Sequence, residues 1–141
     1  MGKCYNSSVI NASINKVWET INDFHNLSWA DKVVTKVDAV GDVPGNEAGA
    51  KRILNDAFHE TLLSVDSNNY TFTYSIDDGP GPVSKNSVSN YVGKITLHPI
   101  TDSGLTFIEW ISTYESDNDS AVGDFCNPIY AGLLSSLKSK F

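Results

Sequence analysis

Basic residues are scarce in this chain. Ten Lys and Arg stand against seventeen Asp and Glu, for a net charge of −7, and the cations are spread along the chain with no cluster larger than the Lys51-Arg52 pair. Nucleic acids and anionic membrane surfaces demand clustered positive charge, so neither is expected as a partner. Apolar runs are short, and none approaches the roughly 20 residues of a membrane-spanning helix, so integral membrane association is not expected. Cysteine is limited to Cys4 and Cys126, at opposite ends of the chain. That spacing suits neither a metal nor a disulfide framework, and free thiols are expected. His25, His59 and His98 have no ligand spacing either, so no metal and no cofactor is expected. No serine lies in a nucleophile elbow. The first residues, Met1-Gly-Lys-Cys-Tyr-Asn, hold no apolar signal region, which makes the cytoplasm the expected location. On that footing the Asn-X-Ser/Thr triplets, Asn11-Ala-Ser among them, are chance matches.

What the chain does have is alternation and turn chemistry. No internal repeat appears, and 141 residues suffice for one domain, 1–141, with a real core. Lys3 to Asn11 reads as a strand. Ile14, Val17, Trp18, Ile21 and Phe24 recur at helical spacing, which predicts a helix of about three turns capped by Asn11 or Ser13. Asn26 to Asp31 breaks that helix and has room for a second short one. Val33 to Val40 reads as a strand, and Gly41 to Asn46 as a loop.

Two hairpins follow. Ala48–Leu54 and Phe58–Val65 flank Asn55-Asp56-Ala57, a three-residue hairpin loop that sets Leu54 opposite Phe58 and Arg52 opposite Glu60. A second turn at Ser67-Asn68-Asn69 sets Leu62 opposite Tyr74. Directly opposed residues of an antiparallel pair share a face, so Arg52, Glu60, Leu62 and Tyr74 are expected together. Asp77 to Asn86 carries two prolines and two glycines without periodicity. It reads as a long loop: either a lid or an exposed insertion. Val88–Leu97 and Leu105–Glu115 are two long strands, with Tyr91, Ile108, Trp110 and Tyr114 on the apolar face opposite Lys94 and Glu109. Val122 to Phe141 reads as a helix, with Phe125, Ile129, Leu133 and Leu137 stepping by four and Cys126, Tyr130 and Leu134 beside them. Pro128 should kink it, unless the regular helix begins only near Asn127.

The predicted order is strand, helix, about six antiparallel strands and a long helix, an α+β arrangement. One apolar sheet face must be covered, and the last helix is the element long enough to do so. A strongly curved sheet wrapped on one helix leaves a hollow. Arg52 and Glu60 are the sharpest candidates in it. They could hold a ligand's polar head, act as an anion stabiliser and a base, or merely pin strand register. Tyr74, Tyr91, Trp110, Tyr114 and Tyr130 offer apolar walls with polar tips, and also suit plain core packing. Trp29 either closes the mouth or packs a helix end. Cys126 reads as a packing residue.

Several short pieces, in order, resemble one superfamily. They are Val17-Trp18 with Trp29; Arg52; Glu60-Thr-Leu62; Tyr70-Thr-Phe-Thr-Tyr74; Pro82-Val; Asn90-Tyr91; Glu109-Trp110; and Ile129-Tyr130-Ala-Gly132-Leu133. Together they are similar to the START-like, or SRPBCC, proteins, and most closely to their small polyketide cyclase/dehydrase-like group. The resemblance implies the helix-grip fold of the Bet v 1 proteins, a curved antiparallel sheet of about six to seven strands around a long C-terminal helix. It also implies a cavity for a hydrophobic small molecule or lipid, lined by Trp29, Arg52, Glu60, Leu62, Tyr74, Tyr91, Trp110, Tyr114 and Tyr130. The protein is then a binding module, either a monomer or a homodimer. An enzyme is the alternative: a cyclase, dehydratase or isomerase with Glu60 as acid or base and Arg52 stabilising an anion. A partner-binding domain with a vestigial cavity is the third reading.

Overall fold

The computed structural model describes residues 1–141. Its elements are β1 (Gly2–Ile10), α1 (Ile14–Ile21), a 3₁₀ turn (Ser28–Ala30), β2 (Val37–Val40), β3 (Lys51–Leu54), β4 (Phe58–Asp66), β5 (Thr71–Asp78), a second 3₁₀ turn (Gly81–Val83), β6 (Val88–Pro99), β7 (Thr106–Ser116) and α2 (Asp119–Lys138). All seven strands form one antiparallel sheet in the order β1-β7-β6-β5-β4-β3-β2. The sheet is curved, and α2 lies against it. The expected α+β architecture is the observed one. No helix is long and apolar enough to cross a membrane.

The β3–β4 hairpin has the expected register, Leu54 opposite Phe58 and Arg52 opposite Glu60. Asn55 and Asp56 both take positive φ, 54° and 56°, which a tight hairpin loop requires and which Asn and Asp tolerate better than most residues. The β4–β5 hairpin reaches Leu62 opposite Tyr74 by a different route. Asp66 pairs with Thr71, so the turn is one residue longer than expected, and a bulge between Leu62 and Ser64 absorbs the extra residue. A second bulge follows at once, between His59 and Glu60, where Glu60 pairs with Ile76 and His59 with Asp78.

Three expectations need correction. Helix α1 is shorter than three turns, ending at Ile21 with Asn22 at its C-cap, so Phe24 lies in the following segment and is buried there. Strand β2 begins at Val37, because Asn55 holds the preceding residues out of the sheet. The Asn55 Oδ1 atom accepts from the amides of Thr35 (2.8 Å) and Lys36 (3.2 Å), and its Nδ2 donates to the Val33 carbonyl at 3.0 Å. Helix α2 runs unbroken from Asp119 through Pro128, which excludes a start near Asn127. Asn118 caps it by accepting from the Ala121 amide at 3.1 Å. Pro128 and Asp124 are both exposed, so the carbonyl that Pro128 cannot satisfy faces water. The buried stripe of α2 runs through Val122, Cys126, Tyr130, Leu133 and Leu137, leaving Phe125 and Ile129 half-buried at its margin.

The Asp77–Asn86 region is docked rather than loose. Val83 is fully buried at 0% exposure. The Asp78 Oδ1 atom accepts from the amides of Gly79 and Lys85, both at 3.0 Å. The Lys85 amide bond is the main reason that the Asp78 carboxyl sits below its ordinary value near 3.8. A carboxyl depressed on folding adds stability above that ordinary value and loses it as the pH falls through the folded one. Asp78→Ala should therefore speed hydrogen exchange at the Lys85 amide at neutral pH, with the difference from the wild type fading in acid. Equal exchange at neutral pH would show that the loop is held by Val83 alone.

Candidate functional site

The site begins with the opposed pair on β3 and β4. Arg52 and Glu60 are each 6% exposed. The Arg52 Nε donates to Glu60 Oε1 at 2.8 Å, and Nη2 reaches the same oxygen at 2.7 Å. Its Nη1 donates to the Phe24 carbonyl at 2.9 Å, and the guanidinium carbon lies 3.7 Å from the centre of the Phe24 ring. Phe24 is itself fixed, its amide donating to the Gly45 carbonyl at 2.8 Å. The segment after α1 thus serves as both a floor and an acceptor for the arginine. The helical periodicity that grouped Phe24 with α1 gave no sign of this role. Burial pushes the Glu60 carboxyl upward, and the Arg52 charge pulls against it.

Beside the pair stands a hydroxyl network. Trp110 Nε1 donates to the Tyr74 hydroxyl at 2.9 Å. The Tyr130 hydroxyl on α2 is the hub: it meets Tyr74 at 3.3 Å, Ser112 Oγ at 2.7 Å, and the Tyr91 hydroxyl. Burial holds the Tyr74, Tyr91 and Tyr130 hydroxyls above their ordinary range, so they stay protonated and serve as donors. Burial also pushes the Cys126 thiol up to about 11, which removes it as a nucleophile near neutral pH. Two glycines place the rings. Gly93 pairs with Tyr74 across β5–β6, and Gly2 pairs with Tyr114 across β1–β7. A Cβ at either glycine would overlap the tyrosine ring opposite it. Each ring can therefore lie flat over the neighbouring strand.

Arg52, Glu60, Tyr74, Trp110 and Tyr130 meet around one cleft between the sheet and α2. Its free volume is about 60 Å³. That admits a few water molecules and falls far short of the roughly 300–1,000 Å³ of a drug-sized site. The aromatic network fills most of the space that a curved sheet would otherwise leave open. Leu62, Tyr91 and Tyr114 are buried on the same sheet face but stand outside the cleft lining. Trp29 is also buried away from it; its carbonyl accepts from Ser136 Oγ at 3.0 Å, and its Nε1 has no hydrogen-bond partner. The cleft reaches outward past Val33, Asn55, Phe58 and Ile129. Most of the Asp77–Asn86 loop lies against the start of α2, while its Gly79 sits beside the rim residue Phe58. The sequence placed Phe58 only as the hairpin partner of Leu54 and Ile129 only in the apolar stripe of the last helix, not at the site; their half-buried state marks them as the rim.

Removing one partner of a buried ion pair strands the other charge, at about 3–5 kcal/mol. Arg52→Met and Glu60→Leu should each lose about that much in urea unfolding. The double substitution should lose much less than the sum. Additive losses would mean that the two side chains contribute independently.

The family model described as polyketide cyclase / dehydrase and lipid transport matches residues 1–141. Among solved structures, a protein of Nitrosospira multiformis is 37% identical, covering 99% of this chain and 95% of its own, with a TM-score of 0.96. The protein XoxI of Bacillus cereus is 24% identical, covers 100% of this chain and 96% of its own, and superposes with a TM-score of 0.80. The ginseng major latex-like protein 151 of Panax ginseng, at 13% identity, covers 99% and 96% with a TM-score of 0.76. No curated protein matches the chain in sequence. The last two likenesses concern the fold alone, and it is the helix-grip fold of the Bet v 1 proteins. With its whole length matched, the chain belongs to the polyketide cyclase/dehydrase and lipid-transport family.

Proposed function

We propose that this protein binds a hydrophobic or amphipathic small molecule between the sheet and α2, in the cytoplasm, as a monomer or homodimer. Arg52 and Glu60 anchor the polar end, and Tyr74, Trp110 and Tyr130 move to admit the apolar part. The observation that carries this reading is an ion pair buried at the edge of a cleft that is otherwise apolar: twelve of its fifteen lining residues are hydrophobic. A pair that serves stability alone is a poor use of that position, because desolvation offsets most of its attraction. The family's description, cyclase/dehydrase and lipid transport, points to the same class of ligand.

Magnitudes favour opening. Separating Tyr130 from two of its partners costs about 1 kcal/mol for each hydrogen bond that water or ligand replaces. Each buried methylene returns roughly 0.8 kcal/mol. A chain of six or more methylenes therefore outweighs the disruption.

The test is displacement of an environment-sensitive apolar dye, together with mass spectrometry of whatever copurifies with the protein. Ile129→Trp should fill the rim, leave the melting temperature nearly unchanged and weaken dye binding by about tenfold or more, since the ring takes the place of several methylenes. Unchanged binding in that variant would put the ligand elsewhere.

A further inference from the structure

Granting that this cleft takes an apolar ligand, we infer that it selects an uncharged head group that donates a hydrogen bond, typified by an alcohol or phenol, with Glu60 Oε2 as the acceptor. Both contacts from Arg52 converge on one carboxylate oxygen, Oε1, at 2.8 Å from Nε and 2.7 Å from Nη2. No side chain or amide donates to Oε2, although Glu60 is 6% exposed and lines the cleft. An ionised carboxylate has room for about four hydrogen bonds, so this oxygen has unused capacity. It is also not sealed away, because Trp29 Nε1 is the one fully occluded side-chain polar atom that lacks a partner.

Charge selects against ionic ligands. The pair is neutral as a unit, and its members touch. A carboxylate head at Oε2 would set two anions side by side in a largely apolar cleft. An ammonium head would suit Oε2, but it would lie within a few ångströms of the guanidinium and leave the cleft with an unmatched positive charge. Either ion also gives up its hydration on entry. An alcohol carries neither penalty, and its oxygen remains free to accept from a remaining guanidinium N–H. An ester or ketone lacks the donor and leaves Oε2 unmet.

The test holds the tail constant and varies the head. Octan-1-ol, octanoate, octylammonium and octyl methyl ether compete with a bound apolar dye, at pH 7 and fixed ionic strength. The wild type should bind octanol at least about tenfold more tightly than the other three, the usual worth of a hydrogen bond to a charged group. Glu60→Gln leaves Arg52 unbalanced and turns the Oε2 position into an amide donor. In that variant octanoate should overtake octanol. Equal affinities of the four octyl compounds for the wild type would overturn the head-group inference while leaving the cleft reading intact. Tighter wild-type binding of octanoate, octylammonium or the ether would also overturn it. Displacement by none of them, with the dye bound and the protein folded, would overturn both. The wild-type series decides the matter even if Glu60→Gln fails to fold.

Discussion

A guanidinium held against a carboxylate beneath a sheet is the constraint around which this molecule is arranged. Neither group can be left alone at that depth. The β3–β4 turn must therefore set Arg52 directly opposite Glu60. The chain after α1 must also leave its helix, so that the Phe24 carbonyl and ring can serve the arginine. The bulge beside Glu60 is part of the same arrangement, since bulges re-aim side chains where a strand approaches a site. One electrostatic requirement thus links β3, β4 and the segment after α1.

The second constraint is volume. A sheet curved around a helix leaves space, and here tyrosine and tryptophan fill it, each polar tip engaged. Such a filling differs from an aliphatic core. Its hydroxyls can change partners, and they form a hinge-like seam between α2 and the sheet at Tyr130. On the proposed reading, the cleft of about 60 Å³ is the closed form of a larger one. Its rim at Phe58 and Ile129 is only half-buried and can yield first.

Much of this was legible in the sequence. Alternation and turn residues placed Arg52, Glu60, Leu62 and Tyr74 on one face, because side-chain parity follows from hairpin length. At the second hairpin two irregularities cancelled: a turn longer by one residue and a bulge at Leu63 restored the expected pairing. What could not be read depends on contacts distant in sequence. Asn55 draws residues 33–36 out of β2, and no local pattern announces that. Phe24 completes a helical period yet serves Arg52. The size of the hollow was illegible because it depends on how Tyr74 lies across Gly93, a matter of cross-strand packing. The proline-rich loop has the composition of a lid but is held shut by Asp78 and the buried Val83.

The most direct test of the account is chemical-shift mapping by NMR on titration with octan-1-ol. The Trp110 indole N–H, hydrogen bonded to Tyr74, and the Glu60 side-chain carboxyl carbon report from the two halves of the cleft. Both should move on one binding isotherm, together with the methyl groups of Ile129 and Leu133. Changes confined to the outer face of the sheet, or saturation without movement of the Trp110 indole, would contradict it.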